Sequence, residues 1–210
     1  YEGISGQALS DDFIRHLAVL KIDPIYKSVQ SLDYLETDAK YIIQCNQSTY
    51  HLDRVIVASG LKPKKPSFLN TLTSYQQQHI FFEVSEIPNE PKKDILIVGA
   101  GDAAFDYSLS LTAHHNITII NRSNYIKALD LLVQRAKYAG IPYEENIQIK
   151  SLEPTTDGYL VKMEKMGSPN VTERFFNLIL IAIGREPDIA FISSQILKKR
   201  VKLEAEKSFF

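Results

Sequence analysis

The sequence predicts an α/β fold, a parallel sheet with antiparallel meanders beside it, and three observations carry that expectation. Apolar runs recur at residues 95–98 and 178–183, with a further short strand at 117–120, the signature of parallel strands covered on both faces. Between them the apolar spacing turns helical over 102–112 and again over 125–138, so strands and helices alternate as βαβα. Short β-like runs parted by polar turns cluster at 25–52 and 147–177, which is the pattern of a meander.

In chain order, Phe13, Ile14, Leu17 and Leu20 recur at helical spacing over 9–20, with Ser10 as N-cap and Asp11 and Asp12 as an acidic first turn. Runs at 25–32, 34–35, 41–45 and 50–52, separated by polar stretches 36–40 and 46–49, make the first meander. Arg54-Val55-Ile56-Val57-Ala58-Ser59-Gly60 reads as a further buried parallel strand ending in a small-residue turn. Pro63, Pro66 and the polar stretch 74–79 mark a surface connection and a boundary between units, and Pro88 and Pro91 make 80–93 a second connection without a continuous helix. The βαβα segment follows, its second helix stopped by Gly140 and Pro142. Runs at 147–152, 159–165 and 174–177, with a turn at Asp157-Gly158, form the second meander before the apolar run to Gly184.

Composition narrows the function classes. Hydrophobic residues make up 44% and charged residues 23% of the 210, with a formal net charge of −1. Those are globular proportions, and Lys62, Lys64 and Lys65 are the short basic run of a solvated loop, so neither nucleic acid nor an anionic membrane is indicated as partner. No uncharged apolar run reaches the ~18–20 residues that cross a bilayer, and the opening Tyr-Glu-Gly-Ile-Ser-Gly is not a signal peptide. A soluble, cytoplasmic protein is expected. Cys45 is the single cysteine, which excludes an intrachain disulfide, a Cys-x-x-Cys pair or a thiolate metal cage. His114-His115 have no carboxylate or cysteine at ligand spacing, so no metal site is expected. The Asn-x-Ser/Thr sequons at Asn46, Asn116, Asn121 and Asn170 read as chance matches, because Asn116 and Asn121 fall inside the βαβ segment.

One constellation carries chemistry. The strand Asp94-Ile95-Leu96-Ile97-Val98 leads into Gly99-Ala100-Gly101-Asp102-Ala103-Ala104 and then a helix, the context in which a G-x-G-x-x-A string binds a dinucleotide. Gly99 permits the tight turn, Gly101 lets the backbone approach a pyrophosphate, and Ala104 keeps the helix close to its strand. The free N–H groups of the first turn complete a Rossmann-like phosphate site. An NAD-preferring site places an acid at the end of the second strand, but here the strand ends Ile119-Ile120-Asn121-Arg122-Ser123. Arg122 offers a forked cation to a 2′-phosphate, Ser123 a hydroxyl, and Lys127 a further charge one helical turn on. One charge-assisted hydrogen bond, at ~1.5–3 kcal/mol, suffices for a preference for NADPH over NADH of roughly 10- to 100-fold.

With these motifs in hand, the chain resembles the pyridine nucleotide-disulfide oxidoreductase superfamily, in its two-domain thioredoxin reductase-like branch. Gly3-Ile4-Ser5-Gly6 resembles the glycine loop before a helix, and Val57-Ala58-Ser59-Gly60 the Ala-Thr-Gly segment beside FAD. Gly99-Ala100-Gly101-Asp102-Ala103-Ala104 resembles the NADPH fingerprint. The stretch Asn121-Arg122-Ser123-Asn124-Tyr125-Ile126-Lys127-Ala128 resembles the His-Arg-Arg-x-x-Phe-Arg-Ala clamp, with Ser123 and Lys127 in place of two arginines. Ala182-Ile183-Gly184-Arg185-Glu186-Pro187 resembles the strand and turn that close the NADPH domain. Where thioredoxin reductases carry Cys-x-x-Cys, this chain has His79-Ile80-Phe81-Phe82-Glu83-Val84-Ser85-Glu86, so the resemblance points to the ferredoxin-NADP reductases of the branch. The branch's N-terminal Gly-x-Gly-x-x-Gly and its C-terminal Gly-Asp segment have no counterpart here, so part of an FAD site is expected.

The resemblance implies a partial FAD-binding domain over 1–88, an NAD(P)H-binding domain over 89–188 and a return segment to the FAD domain over 189–210. The cofactors implied are NADPH and FAD. NADPH would place its pyrophosphate on Gly99, Gly101, Asp102, Ala103 and Ala104, its 2′-phosphate on Arg122, Ser123 and Lys127, and its nicotinamide near Gly184 and Arg185. Ser59 and Gly60 would lie beside FAD. Hydride would pass from NADPH to flavin and on to a ferredoxin-like acceptor, with no acid or base asked of the protein. A homodimer is the assembly considered. Two other readings stand beside this one: a non-catalytic dinucleotide-binding module, and a flavoprotein reductase of another acceptor such as a thiol protein or a quinone.

Overall fold

The computed structural model describes residues 6–88, 92–168 and 170–199. Gly3, Ile4 and Ser5 of the expected glycine loop lie outside them. The chain forms two compact units, one of Tyr1–Ser59 with Asp188–Phe210 and one of Gly60–Pro187. No described helix is long and apolar enough to cross a membrane.

In the first unit a helix, α1 (Gly6–Val19), precedes an antiparallel meander of β1 (Val29–Leu35), β2 (Lys40–Cys45) and β3 (Ser48–Leu52). The helix begins upstream of Ser10, which lies in its second turn and is no cap. Asp11 accepts from Gln7 at 2.9 Å and Asp12 pairs with Arg15, so both carboxylates are spent along the helix. Phe13 and Ile14 are each 58% exposed; the apolar spacing is helical, but the face it defines is not buried. Leu32 on β1 is buried with Ile192 and Ile196 of the returning chain, and its N–H donates to Phe191 O at 2.8 Å. The expected strand at 54–60 does not form. It has no neighbouring strand among the described residues, and Ile56 is 94% exposed. An apolar strand of this kind exists only where flanking strands satisfy its backbone.

The second unit has three layers. Its central parallel sheet has the order β5-β12-β6-β7-β8, built from β5 (Ile80–Phe81), β6 (Asp94–Val98), β7 (Asn116–Ile120), β8 (Tyr143–Glu144) and β12 (Leu178–Ile181). Between β6 and β7 runs α2 (Asp102–Leu111), and between β7 and β8 runs α3 (Asp130–Tyr138). An antiparallel sheet of β9 (Ile147–Thr155), β10 (Gly158–Lys165) and β11 (Val171–Phe176) is the second meander. Side chains alternate between the layers with the two-residue period of a strand. Ile95, Ile97, Ile119 and Leu180 pack with Ala104, Phe105 and Ala136 of the helices. Leu96, Ile120, Ile179 and Ile181 pack with Tyr159, Val161 and Met163 of β10. Burying each of these large side chains stabilises the unit by ~1.5–3 kcal/mol, which explains why these strands carry no polar face. Arg174 on β11 pairs with Glu144 and donates to Thr118 Oγ1 at 3.2 Å, tying the antiparallel layer to the rim of the parallel one.

Residues 60–88, expected with the first domain, pack in the second. Leu69 is buried in its core, β5 pairs with β12, and β4 (Leu61–Pro63) pairs with β13 (Arg185–Pro187). The prolines that read as a loop bound a segment pinned by long-range pairing. The chain therefore passes between units at 59/60 and 187/188.

Candidate functional site

The site grows from the end of β6. Gly99 has φ +136° and donates its N–H to Ile120 O at 2.9 Å. A Cβ on Gly99 would lie 2.2 Å from Ala182 O, so this glycine serves the close approach of the chain leaving β12 as well as the turn. Gly101 is different: its φ of −96° suits any residue, and nothing lies within 4 Å of the Cβ it lacks. The space in front of Gly101 is open. Gly101 O accepts from Ala104 N at 3.0 Å, starting α2, while the N–H groups of Gly101, Asp102 and Ala103 have no acceptor among the described residues. Those donors and the positive end of a ten-residue helix make an anion cradle. Ala104 is fully buried against the sheet, as close helix–strand packing requires.

At the end of β7 the expected helix over 125–138 begins later, at Asp130. Residues 121–129 form a loop, and Lys127 is not on a helix. The amides of this stretch are bonded to the first loop: Lys127 N and Ala128 N donate to Ala100 O at 2.9 and 3.2 Å, and Leu129 N donates to Asp102 Oδ1 at 2.7 Å. Asn121 organises the start of the loop, its Nδ2 donating to Tyr125 O at 2.8 Å and Tyr143 Oη at 3.2 Å. Arg122, Ser123 and Lys127 are exposed, and Arg122 and Lys127 have no ion-pair partner among the described residues.

At the exit of β12, Gly184 has φ +99° and accepts from Lys64 N at 3.0 Å. Arg185 is already engaged, paired with Glu83 and donating to Leu61 O at 3.3 Å. Tyr107 Oη donates to Glu83 Oε2 at 3.0 Å, and burial, with Asp106 and Glu86 nearby, raises its pKa. An open concavity of about 540 Å³ beside this turn is lined by Lys62, Pro63, Lys64, Lys65, Ile183 and Glu186. Contacts thus bring together the 99–104 loop, the 127–129 backbone and the exit of β12. Ser59 closes the first unit and Gly60, with φ +74°, opens the second; both are exposed.

Asn121 and Glu83 were not singled out from sequence. An Asx-turn signal at Asn121-Arg122-Ser123 could have found the first; the second depends on a residue a hundred positions away and leaves no local mark. No group of three or more His, Cys, Asp or Glu that could hold a metal occurs among the described residues. His115 is buried, with Nδ1 accepting from Lys93 N at 3.3 Å, a structural role.

The family described as pyridine nucleotide-disulphide oxidoreductase matches residues 18–207. A ferredoxin–NADP reductase of Polaromonas naphthalenivorans is 23% identical over 219 residues, covering 97% of this chain and 59% of that protein. Ferredoxin–NADP reductase 2 of Cupriavidus taiwanensis is 23% identical over 216 residues, covering 97% and 58%. The chain spans less than two thirds of the length of these relatives. Among solved structures, Lactococcus lactis thioredoxin reductase shares the fold with a TM-score of 0.80 at 22% identity, over 98% of this chain and 67% of that one. T. acidophilum thioredoxin reductase shares it at 0.77 and 20%, over 91% and 63%.

Proposed function

The chain belongs to the pyridine nucleotide-disulphide oxidoreductase family, and from that premise we propose that its Gly60–Pro187 unit binds NADPH for an oxidoreductase that passes hydride to FAD and electrons on to a ferredoxin-like acceptor. NADPH and FAD are the pair used by ferredoxin–NADP reductases and thioredoxin reductases. The observation that carries the reading is the open space at Gly101 in front of unpaired first-turn amides. The pyrophosphate would rest there, and the ribose 2′-phosphate would meet Arg122 and Lys127, whose charges have no counter-ion among the described residues. The glycine turn at Gly184 would receive the nicotinamide, and Arg185, held by Glu83, would shape that end without being free to chelate a phosphate.

The acceptor reading draws on the lysines beside the Gly184 turn, a basic surface suited to an acidic electron carrier. For FAD the fit is partial. Among the described residues the β6–α2 junction is the one strand–glycine–helix phosphate loop, and Ser59 and Gly60 alone do not make a second. The first unit would supply only part of the flavin's domain.

Separate titrations of the purified chain with NADPH and NADH test the nucleotide half. A Kd for NADPH at least ~10-fold below that for NADH supports the clamp; equal affinity, or none for either, refutes it. An absorbance spectrum tests the other half, since bound oxidised FAD gives bands near ~450 nm that NADPH bleaches. A colourless chain that binds NADPH would favour the dinucleotide-binding module, a reading supported by the one phosphate loop among the described residues.

A further inference from the structure

We propose that Asp102 is a positioning residue that couples the pyrophosphate loop to the 2′-phosphate loop, so that preference for NADPH depends on its side-chain oxygen; this rests on the NADPH reading above. A carboxylate in the first turn of a phosphate-binding helix complements the helix dipole, yet it repels the pyrophosphate that the same helix end would hold. The direction of the side chain accounts for its presence. Asp102 Oδ1 accepts the Leu129 N–H at 2.7 Å, short for N–H···O and charge-assisted.

Three consecutive amides of the clamp loop, at Lys127, Ala128 and Leu129, thus end on Ala100 and Asp102 of the phosphate loop. At its other end the loop is held by Asn121, whose N–H donates to Glu144 O and whose carbonyl accepts from Ile147 N, both at 2.9 Å. Arg122 lies between these anchors and Lys127 at one of them, both exposed, so the anchored backbone sets the points from which their charges reach. Without the Asp102 link, the loop keeps only the two bonds to Ala100 O at this end, and the order lost at Leu129 would have to be supplied at the moment of binding. Only a ligand bearing a 2′-phosphate would bear that cost, at roughly 2- to 10-fold in affinity per immobilised side chain.

The test measures Kd for NADPH, NADH, 2′,5′-ADP and 5′-AMP on the full chain and on Asp102→Ala, Asp102→Asn and Leu129→Pro. Removing the charge changes pyrophosphate repulsion equally for both coenzymes, so the NADPH/NADH ratio is the informative quantity. The ratio is expected to fall ~5- to 10-fold in Asp102→Ala, in parallel with the 2′,5′-ADP/5′-AMP ratio. It is expected to stay near wild type in Asp102→Asn, whose amide oxygen still accepts. Leu129→Pro deletes the donor at a φ of −58° that proline adopts. It should reproduce the Asp102→Ala loss, and the double variant should lose no more than either single one.

An unchanged ratio in Asp102→Ala, an Asp102→Asn that behaves like Asp102→Ala, or losses that multiply in the double variant overturn the proposal while leaving the NADPH reading intact. A wild-type chain that fails to discriminate overturns that reading and the proposal with it. Should Asp102→Ala not fold, retention in Asp102→Asn and loss in Leu129→Pro decide the matter.

Discussion

Gly99 and Gly101 sit two residues apart in one motif, and the structure assigns them opposite vulnerabilities. In Gly99→Ala the new methyl would stand 2.2 Å from Ala182 O and 2.7 Å from Ala182 C, both backbone atoms that no rotamer change can move. The end of β6 and the chain leaving β12 would have to part by about 1 Å, at the point where Ala182 N donates to Val98 O at 2.8 Å. Holding a non-glycine residue at φ +136° costs about 1–3 kcal/mol, and overpacking a further ~1–3 kcal/mol. The sum of about 2–6 kcal/mol is a large share of the ~5–15 kcal/mol typical of a domain. In Gly101→Ala the backbone is ordinary and the space empty, so the loss is about 1 kcal/mol or less. Its methyl, however, enters the place assigned to the pyrophosphate, and affinity for NADPH and NADH should fall together by at least ~10-fold. Hydrogen exchange of the β6 and β12 amides under increasing urea reads the first effect locally, and nucleotide titration reads the second. A Gly99→Ala chain as stable as wild type would refute the close-approach argument; a Gly101→Ala chain with normal affinities would refute the pyrophosphate placement.

Three further outcomes follow from other residues. Arg122→Ala should weaken NADPH by roughly 10- to 100-fold and leave NADH unchanged, with a salt dependence that weakens in the variant while Lys127 remains; equal loss for both coenzymes would remove Arg122 from the clamp. Burial holds the His115 imidazole below its ordinary value, and His114 and Lys93 repel its proton further. The unfolded chain therefore binds more protons between the folded pKa and about 6.5, so stability is full above about 6.5 and is lost as pH falls through that window. His115→Gln, which can still accept from Lys93, should flatten this slope in urea midpoints measured at several pH values, and an unaltered slope would exclude His115 as its source. Arg174 and Glu144 are each 38% exposed at the side chain, so the double-mutant cycle of Arg174→Met and Glu144→Gln should give a coupling of only ~0.5–1 kcal/mol. A coupling several times larger would mean that the pair acts as a buried one.

What sequence could foretell here divides along a physical line. The alternation of Ile95, Leu96 and Ile97 between two cores, the glycine loop and the second meander follow from short-range periodicity, and each is where the pattern placed it. The departures occur where long-range pairing overrides local preference. The apolar run at 54–60 has the composition of a central strand and no neighbours to make it one, because pairing is a property of the sheet. Residues 60–88 carry prolines that read as linker, yet β4 and β5 close edges of the second unit through partners more than ninety residues away. The loop at 121–129 shows the same competition at the site itself. Its sequence has helical spacing from Tyr125, but the amides of Lys127, Ala128 and Leu129 bond to Ala100 and Asp102 instead, and the helix begins after them, at Asp130. The delay matters chemically. A helix starting at Tyr125 would have placed Lys127 at a positive helix end, where a cation gains nothing. In the loop the same lysine sits on backbone tied to Ala100, next to the open amides at the start of α2, so the two halves of the proposed nucleotide site are joined by main-chain hydrogen bonds rather than by a helix.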